Sequence, residues 1–302
     1  MAQGARKLLR VGGVPEHFNW PWHRALRSGA FGRQGLDVEW RTYPGGSGAM
    51  SAALKSGEID VACMLTEAAL AECHKGAPYK VFGFYVKSPL VWGIHAAANS
   101  TNCDDWAKCD DPVVGVSRYG SGSHLMALVD ARVRGKPAPQ RWAVVESLPG
   151  ARTALAAGSA DAFFWEKFTT KPVCDAGEWK KVDECPTPWP CFALAVADAA
   201  LAANGGPEAL LAALDVVRGE AERLKAAPAA AVAEIAAEYD LKPADVAEWF
   251  ATVEWSCLPH APKETLRFVA EALLDANILE KHHLEVPYDQ LVAKGHTKDQ
   301  PI

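Results

Sequence analysis

No apolar run in this chain of 302 residues is long enough to span a bilayer; the longest candidates, such as Cys191–Ala203, carry an aspartate and end early. The segment Met1–Arg10 is basic but has neither an apolar core nor a small-residue cleavage site, so no secretion signal and a cytoplasmic location are expected. Positive charge is scarce too. Thirty-one Lys and Arg stand against 37 Asp and Glu, a net charge of −6, which argues against a broad nucleic-acid-binding face. The eight cysteines form no CxxC pair and no Cys/His grouping with zinc spacing, so they read as reduced thiols. Cys185 and Cys191 could bridge across Pro186–Pro190, but the expected compartment argues against it. No nucleophile elbow, Walker loop or HExxH stretch is present, and there is no internal repeat. The only low-complexity candidate is the polar end His296–Ile302. Nothing here calls for a metal, a cofactor or catalysis.

What is present is the composition of a globular protein, 49% apolar and 23% charged, at a length that suits two domains. Strand and helix patterns alternate from the start. Leu8–Val14, Leu36–Tyr43, Ile59–Leu65 and Tyr79–Val86 read as buried strands, with helices over Trp20–Ser28, Ala49–Ser56 and Thr66–Lys75 between them. A second series follows: strands Val91–Ala96, Val113–Ser117, Trp142–Val145 and Ala162–Trp165, with helices Ser121–Arg134 and Gly150–Gly158. Asp104–Asp111 reads as a polar loop edge. Alternation of this kind predicts an α/β protein whose sheets are mostly parallel and flanked by helices. The prolines of Pro186–Pro190 mark a stiff crossing, Cys191–Val196 reads as one more strand, and alanine-rich helices follow to about Ala293.

Two glycine- and serine-rich turns separate strand from helix, Tyr43–Met50 and Ser117–Met126. Glycines admit sharp turns and close approach, and a helix start presents unpaired N–H groups to an anion. Gly45, Gly46, Ser47 and Gly48 are therefore expected to bind ligand from one half, and Ser121, Gly122, Ser123 and His124 from the other. Arg118 supplies a guanidinium suited to sulfonate, phosphate or carboxylate, and His124 at a helix start is expected to act as a neutral donor. His17, Phe18, Thr66 and Glu67 lie just past strands, where ligand loops gather. Glu67 and Glu166 beside an anion site call for a ligand with an amino end. Of eleven tryptophans, Trp165 and Trp189 are taken as aromatic walls.

Val14–Asn19, Pro44–Met50 and Gly57–Val61 resemble the type 2 periplasmic-binding-protein fold, in the branch near the aliphatic-sulfonate-binding and thiamine pyrimidine synthase-like proteins. Ser117–His124 and Phe163–Pro172 resemble a cytosolic eukaryotic subgroup of it. The resemblance spans about the first two-thirds of the chain. It implies two α/β lobes with the ligand in the cleft between them: lobe one over 1–88, an inserted lobe two over 89–188, and a return over 189–302 with C-terminal helices. Ser88, at the point of departure, joins the expected site.

The function expected is non-catalytic binding of a small organic anion, a sulfonate or a phosphorylated aminopyrimidine, with hinge closure on the ligand. One alternative is an enzyme similar to thiamine pyrimidine synthase, which uses pyridoxal phosphate and iron through a cysteine-rich motif and a nearby lysine and histidine. Here Pro190-Cys-Phe192 holds an isolated cysteine and the lobe-one loop reads Pro-Gly-Gly-Ser. Another is a soluble sensor with a protein partner, since no secretion signal points to an import permease.

Overall fold

A computed structural model describes residues 7–203 and 205–293; residues 1–6 and the polar end His296–Ile302 lie outside the described residues. The chain forms two compact units. The first takes the chain up to Ser88, then Trp189–Ala270, then the chain from Lys281 onward. The second takes Pro89–Pro188 and Glu271–Glu280.

Eleven strands follow in chain order: β1 (Lys7–Gly13), β2 (Leu36–Thr42), β3 (Val61–Leu65), β4 (Tyr79–Val86), β5 (Val91–Ala97), β6 (Val113–Val116), β7 (Arg141–Val144), β8 (Ala162–Glu166), β9 (Trp179–Pro186), β10 (Phe192–Ala197) and β11 (Trp255–Leu258). In the first unit the sheet order is β11-β4-β10-β3-β1-β2, and in the second it is β7-β6-β8-β5-β9.

The sheets are mixed, which corrects the expectation of mostly parallel pairing. In the first unit β1 runs parallel to β2 and β3, whereas β10 is antiparallel to β3 and β4, and β11 to β4. In the second, β6 is parallel to β7 and β8, and β5 is antiparallel to β8 and β9. The cause lies in where the chain crosses. It leaves the first unit after β4 and returns into β10 at the same end of the sheet, Phe192 opposite Val86, so β10 must run against β4. In the second unit it arrives on β5 and departs on β9, Val91 opposite Pro186, with the same result. Backbone bonds tie each pair of ends: Cys191 N–H to Ser88 O at 3.2 Å in the first unit, Thr187 N–H to Leu90 O at 2.9 Å in the second.

Two strands carried little sequence signal. The charged run of β9 suits an edge strand, with Trp179 and Cys185 buried and the lysines half-buried or exposed. Gly83 on β4 admits β11, since a Cβ there would lie 2.0 Å from Leu258 O. The stretch read as a polar loop edge instead buries Trp106 in a short 3-10 turn, Trp106–Lys108. The 21-residue Gly206–Ala226 helix packs on Trp20–Arg27, with Arg24 Nε bonded to buried Glu220 at 3.2 Å. The second unit buries Phe163, Trp179, Val145, Ala151 and Leu155 in a common core.

Candidate functional site

In the first unit the predicted residues gather where β1 and β3 end and β10 begins. The Gly46–Ser56 helix has Gly45 as its N-cap, which offers no side chain to its first-turn N–H groups. Gly46 sits at φ +68°, a conformation that favours glycine. Ser47 Oγ accepts from Leu65 N–H at 3.2 Å, pinning the turn to the end of β3. Next along, Thr66 donates its hydroxyl to Pro190 O at 2.5 Å and its N–H to Cys191 O at 3.0 Å, so it opens the Thr66–His74 helix by anchoring it to the return segment rather than by capping it.

Glu67 is the most unusual group of this set. It is 3% exposed; Oε2 accepts from Trp189 Nε1 at 3.0 Å, and buried Oε1 has no hydrogen-bond partner. Burial pushes its pKa up to about 7 against the weaker pull of its own N–H and of Trp189. Trp189 is buried edge-on to Phe268 with ring centroids 6.3 Å apart. Ser88 Oγ accepts from Glu254 N–H at 3.1 Å. Phe18 packs 5.0 Å from Phe192, and its carbonyl accepts from the Tyr85 hydroxyl and Trp255 Nε1. His17 lies edge-on to Trp249 at 4.1 Å, and burial drives its pKa down to about 3, so it is a neutral packing ring.

In the second unit the turn after β6 is a hydrogen-bonded net. Ser123 Oγ accepts from Ser117 N–H at 3.0 Å and lies 3.0 Å from Ser121 Oγ, which caps the Gly122–Val133 helix by accepting from His124 N–H at 3.4 Å. Gly120 N–H donates to His124 Nδ1 at 3.2 Å, leaving the proton on Nε2; burial lowers the pKa of this ring, keeping it neutral. Arg118 is exposed, and its guanidinium has no partner among the described residues. Tyr119, 62% exposed, and Trp142 flank His124 at 5.5 and 4.7 Å. Beneath the turn lies Trp92, a residue pattern reasoning missed: a Cβ on Gly122 would sit 2.6 Å from its ring, so the turn needs glycine there. Trp92 pairs with Glu166 across β5 and β8, and its Nε1 is buried without a partner.

Glu166 itself is committed locally. As N-cap of Lys167–Asp175, it accepts from Thr169 N–H at 2.7 Å and Thr169 Oγ1 at 2.8 Å, while burial raises its pKa. Trp165 is half-buried and stacked on Phe163 at 5.3 Å.

Among solved structures, the conserved Candida albicans CA3427 gene product, described as defining a family with the generic periplasmic-binding-protein fold, superposes with a TM-score of 0.85 at 29% identity over 97% of this chain and 98% of its own. The family model for Ca3427-like PBP matches residues 92–185. The chain has the type II periplasmic-binding-protein fold and is related to the Ca3427-like proteins. The same fold is found in the aliphatic sulphonate binding protein SsuA from Escherichia coli (TM-score 0.71, 16% identity, 98% and 95% coverage). It is found again in the alkanesulfonate-binding SsuA from Xanthomonas axonopodis pv. citri bound to MOPS (0.72, 18%, 93% and 96%). No curated protein sequence matches the chain.

Within this solute-binding fold each unit collects its own predicted residues. In the first, Ser47, Thr66, Glu67, Ser88 and Trp189 are linked by single hydrogen bonds to one another or to the same short segments. In the second, Arg118 to His124 form one turn, Glu166 lies across from Trp92, and Trp165 belongs to the fringe of the core. Tyr119 reads in sequence only as part of the glycine turn and Trp142 only as the start of a strand, so neither is singled out there as a site residue. Among the described residues no group of three or more His, Cys, Asp or Glu is placed to hold a metal ion, and no helix is long and apolar enough to cross a membrane.

Proposed function

We propose that the protein binds, without transforming it, a small organic anion that also carries an amine or a heteroaromatic ring. The observation that carries this reading is the exposed guanidinium of Arg118, which has no partner among the described residues, beside the start of the 12-residue Gly122–Val133 helix, where first-turn N–H groups and the helix dipole favour the same negative charge. The start of Gly46–Ser56, capped by a glycine, offers a second set of N–H donors. Tyr119 and Trp142 supply aromatic edges for a flat group. Glu67 is the better of the two carboxylates for an amine, since Glu166 is held by Thr169. Its Oε1 is sealed from solvent, so that contact requires Thr66–Glu67 or Trp189 to shift.

An aliphatic or aminoalkyl sulfonate, or a phosphorylated aminopyrimidine, meets these requirements. That an SsuA of the same fold is described bound to MOPS, a sulfonate with a ring amine, makes MOPS a natural first probe. Native mass spectrometry of freshly purified protein, followed by calorimetry with MOPS and 2-aminoethanesulfonate, tests the reading. Arg118→Ala is expected to weaken binding by about 2–5 kcal/mol if the guanidinium pairs with the anion away from water. Unchanged affinity removes Arg118 from the site. Turnover of the bound compound would overturn the non-catalytic reading.

A further inference from the structure

The turn that carries Arg118 has a neighbour from far along the chain. The Lys263–Asp275 helix ends inside the second unit, which takes in Glu271–Glu280. Its stop is well defined: Asn277 takes φ +54° and bonds Leu274 O through its N–H at 2.9 Å, and Ile278 N–H reaches back to Leu273 O at 2.9 Å. That paired closure of a helix fixes the residue after the left-handed position, here Ile278, in place and direction. Leu273, Ala276 and Leu279 are buried, and Asp275 pairs with Arg132 of the Gly122–Val133 helix, so the segment is held by apolar packing and by charge.

Ile278 lies against the turn. A Cβ on Gly120 would be 3.9 Å from Ile278 Cγ1, at ordinary van der Waals spacing. Gly120 itself stands two residues from Arg118 and donates its N–H to His124 Nδ1 at 3.2 Å. Ile278 is half-buried, and exposed Tyr119 precedes Gly120. The isoleucine has no polar atom to offer a charged group, and it falls outside the residues 92–185 matched by the family model. We propose that Ile278 is a specificity-determining residue of the anion site, an apolar wall that favours an anion with a hydrocarbon body over a bare oxyanion. The inference rests on the reading that Arg118 and the helix start hold the anionic head. A head held there leaves its body to run along the turn past Tyr119 and Gly120, where the missing side chain of Gly120 keeps the isoleucine open. Methylene groups that cover Ile278 are removed from water and add affinity, whereas sulfate has none to place.

The test is calorimetry of the full chain with inorganic sulfate and with methane-, ethane- and butanesulfonate. Affinity in the unaltered chain should rise by up to about fourfold per added methylene. Ile278→Ala should lose most of that rise and leave sulfate binding unchanged, and Ile278→Leu should keep the rise. Failure of every sulfonate to bind the unaltered chain would overturn this inference together with the function it rests on. A flat series in the unaltered chain, an Ile278→Ala series as steep as the parent's, or sulfate weakened as much as butanesulfonate would overturn the role of Ile278 alone. Should the alanine variant fail to fold, nuclear Overhauser contacts between the butanesulfonate methyl and the Ile278 methyls of the unaltered chain decide, and their absence overturns it.

Discussion

The two units share a strand plan. Read from the edge, β2-β1-β3-β10-β4 and β7-β6-β8-β5-β9 have the same sequence of pairings, two parallel and then two antiparallel, and the first unit adds β11. Yet the two glycine turns that look alike in sequence do not hold equivalent places. Tyr43–Gly46 follows the edge strand β2, and its counterpart by position is Val145–Ser147 after β7, where Glu146 takes φ +62° and Ser147 caps the next helix. Ser117–Ser121 follows β6, and its counterpart after β1 is Val14–Asn19 with the 3-10 turn His17–Asn19. Similar turn chemistry therefore arose at different corners of a common plan. The two turns also differ in support: the first is glycine-rich and pinned by one serine, Ser47, to the end of β3, and the second is a closed net of hydroxyls with an arginine beside it.

That difference is sharpest beneath the helices that follow. Gly122–Val133 is held by Asp130, 2% exposed, which joins Trp106 Nε1 at 2.6 Å and Arg134 Nε at 2.7 Å; Arg134 in turn reaches Asp183 at 2.7 Å. Gly46–Ser56 rests on Met50, Ala53 and Leu54, with a single buried polar contact, Ser51 Oγ to Tyr79 Oη at 3.0 Å. Losing Asp130 leaves buried Trp106 Nε1 without its acceptor and takes one of two carboxylates from half-buried Arg134, so Asp130→Ala should cost about 1–3 kcal/mol. Ser51→Ala loses one neutral hydrogen bond and should cost about 1 kcal/mol. Urea denaturation of both variants checks this, and equal losses would mean the charged anchor has no special weight.

The second contrast is between carboxylates. Burial moves Glu67 from 4.5 to about 7, so between those values the native state keeps a proton that the unfolded chain has released. The native state binding more protons means stability falls as pH rises through that window and levels off above it, by up to about 3 kcal/mol in all. Glu67→Gln mimics the protonated form. Its stability should equal the parent's near the bottom of the window and exceed it by up to about 3 kcal/mol above the top. Glu166→Gln replaces a charged cap with a neutral one and should instead lose about 1 kcal/mol at neutral pH. Denaturation curves across the window decide, and a Glu67→Gln difference that ignores pH would mean Glu67 stays ionised.

Much of this was legible in the chain because the signals are local. Strands such as Tyr79–Val86 are short apolar runs, and Gly46 or Ser121 announce a turn and a cap by residue type alone. Strand direction was not legible, because it follows from where the chain crosses between units, and nothing near β10 records that. Nor was β9, whose charged residues suit an edge that only the folded sheet defines. Glu67 and Glu166 were picked out together as residues past strand ends. Whether Thr169 or an indole meets them depends on partners 3 and 122 positions away, and only the nearer one lies within the reach of a local pattern.

The smallest effects should separate the turns themselves. At Gly48 a Cβ would meet nothing within 4 Å, and the residue lies in an exposed first turn. Alanine there removes backbone freedom from the unfolded chain and should stabilise by up to about 1 kcal/mol. At Gly122 the same methyl would lie 2.6 Å from Trp92, whose ring is packed between β5 and the turn and has little room to withdraw. Gly122→Ala should cost about 1–3 kcal/mol through overpacking. It should also displace the Ser121 cap and the Arg118 backbone that Ser121 N–H bonds at 3.1 Å, so it weakens anion binding as well as folding. Gly48→Ala adds no such strain, and thermal melts with calorimetry on both variants measure the contrast. If both are tolerated alike, Trp92 is not the rigid floor that makes the second turn dependent on glycine.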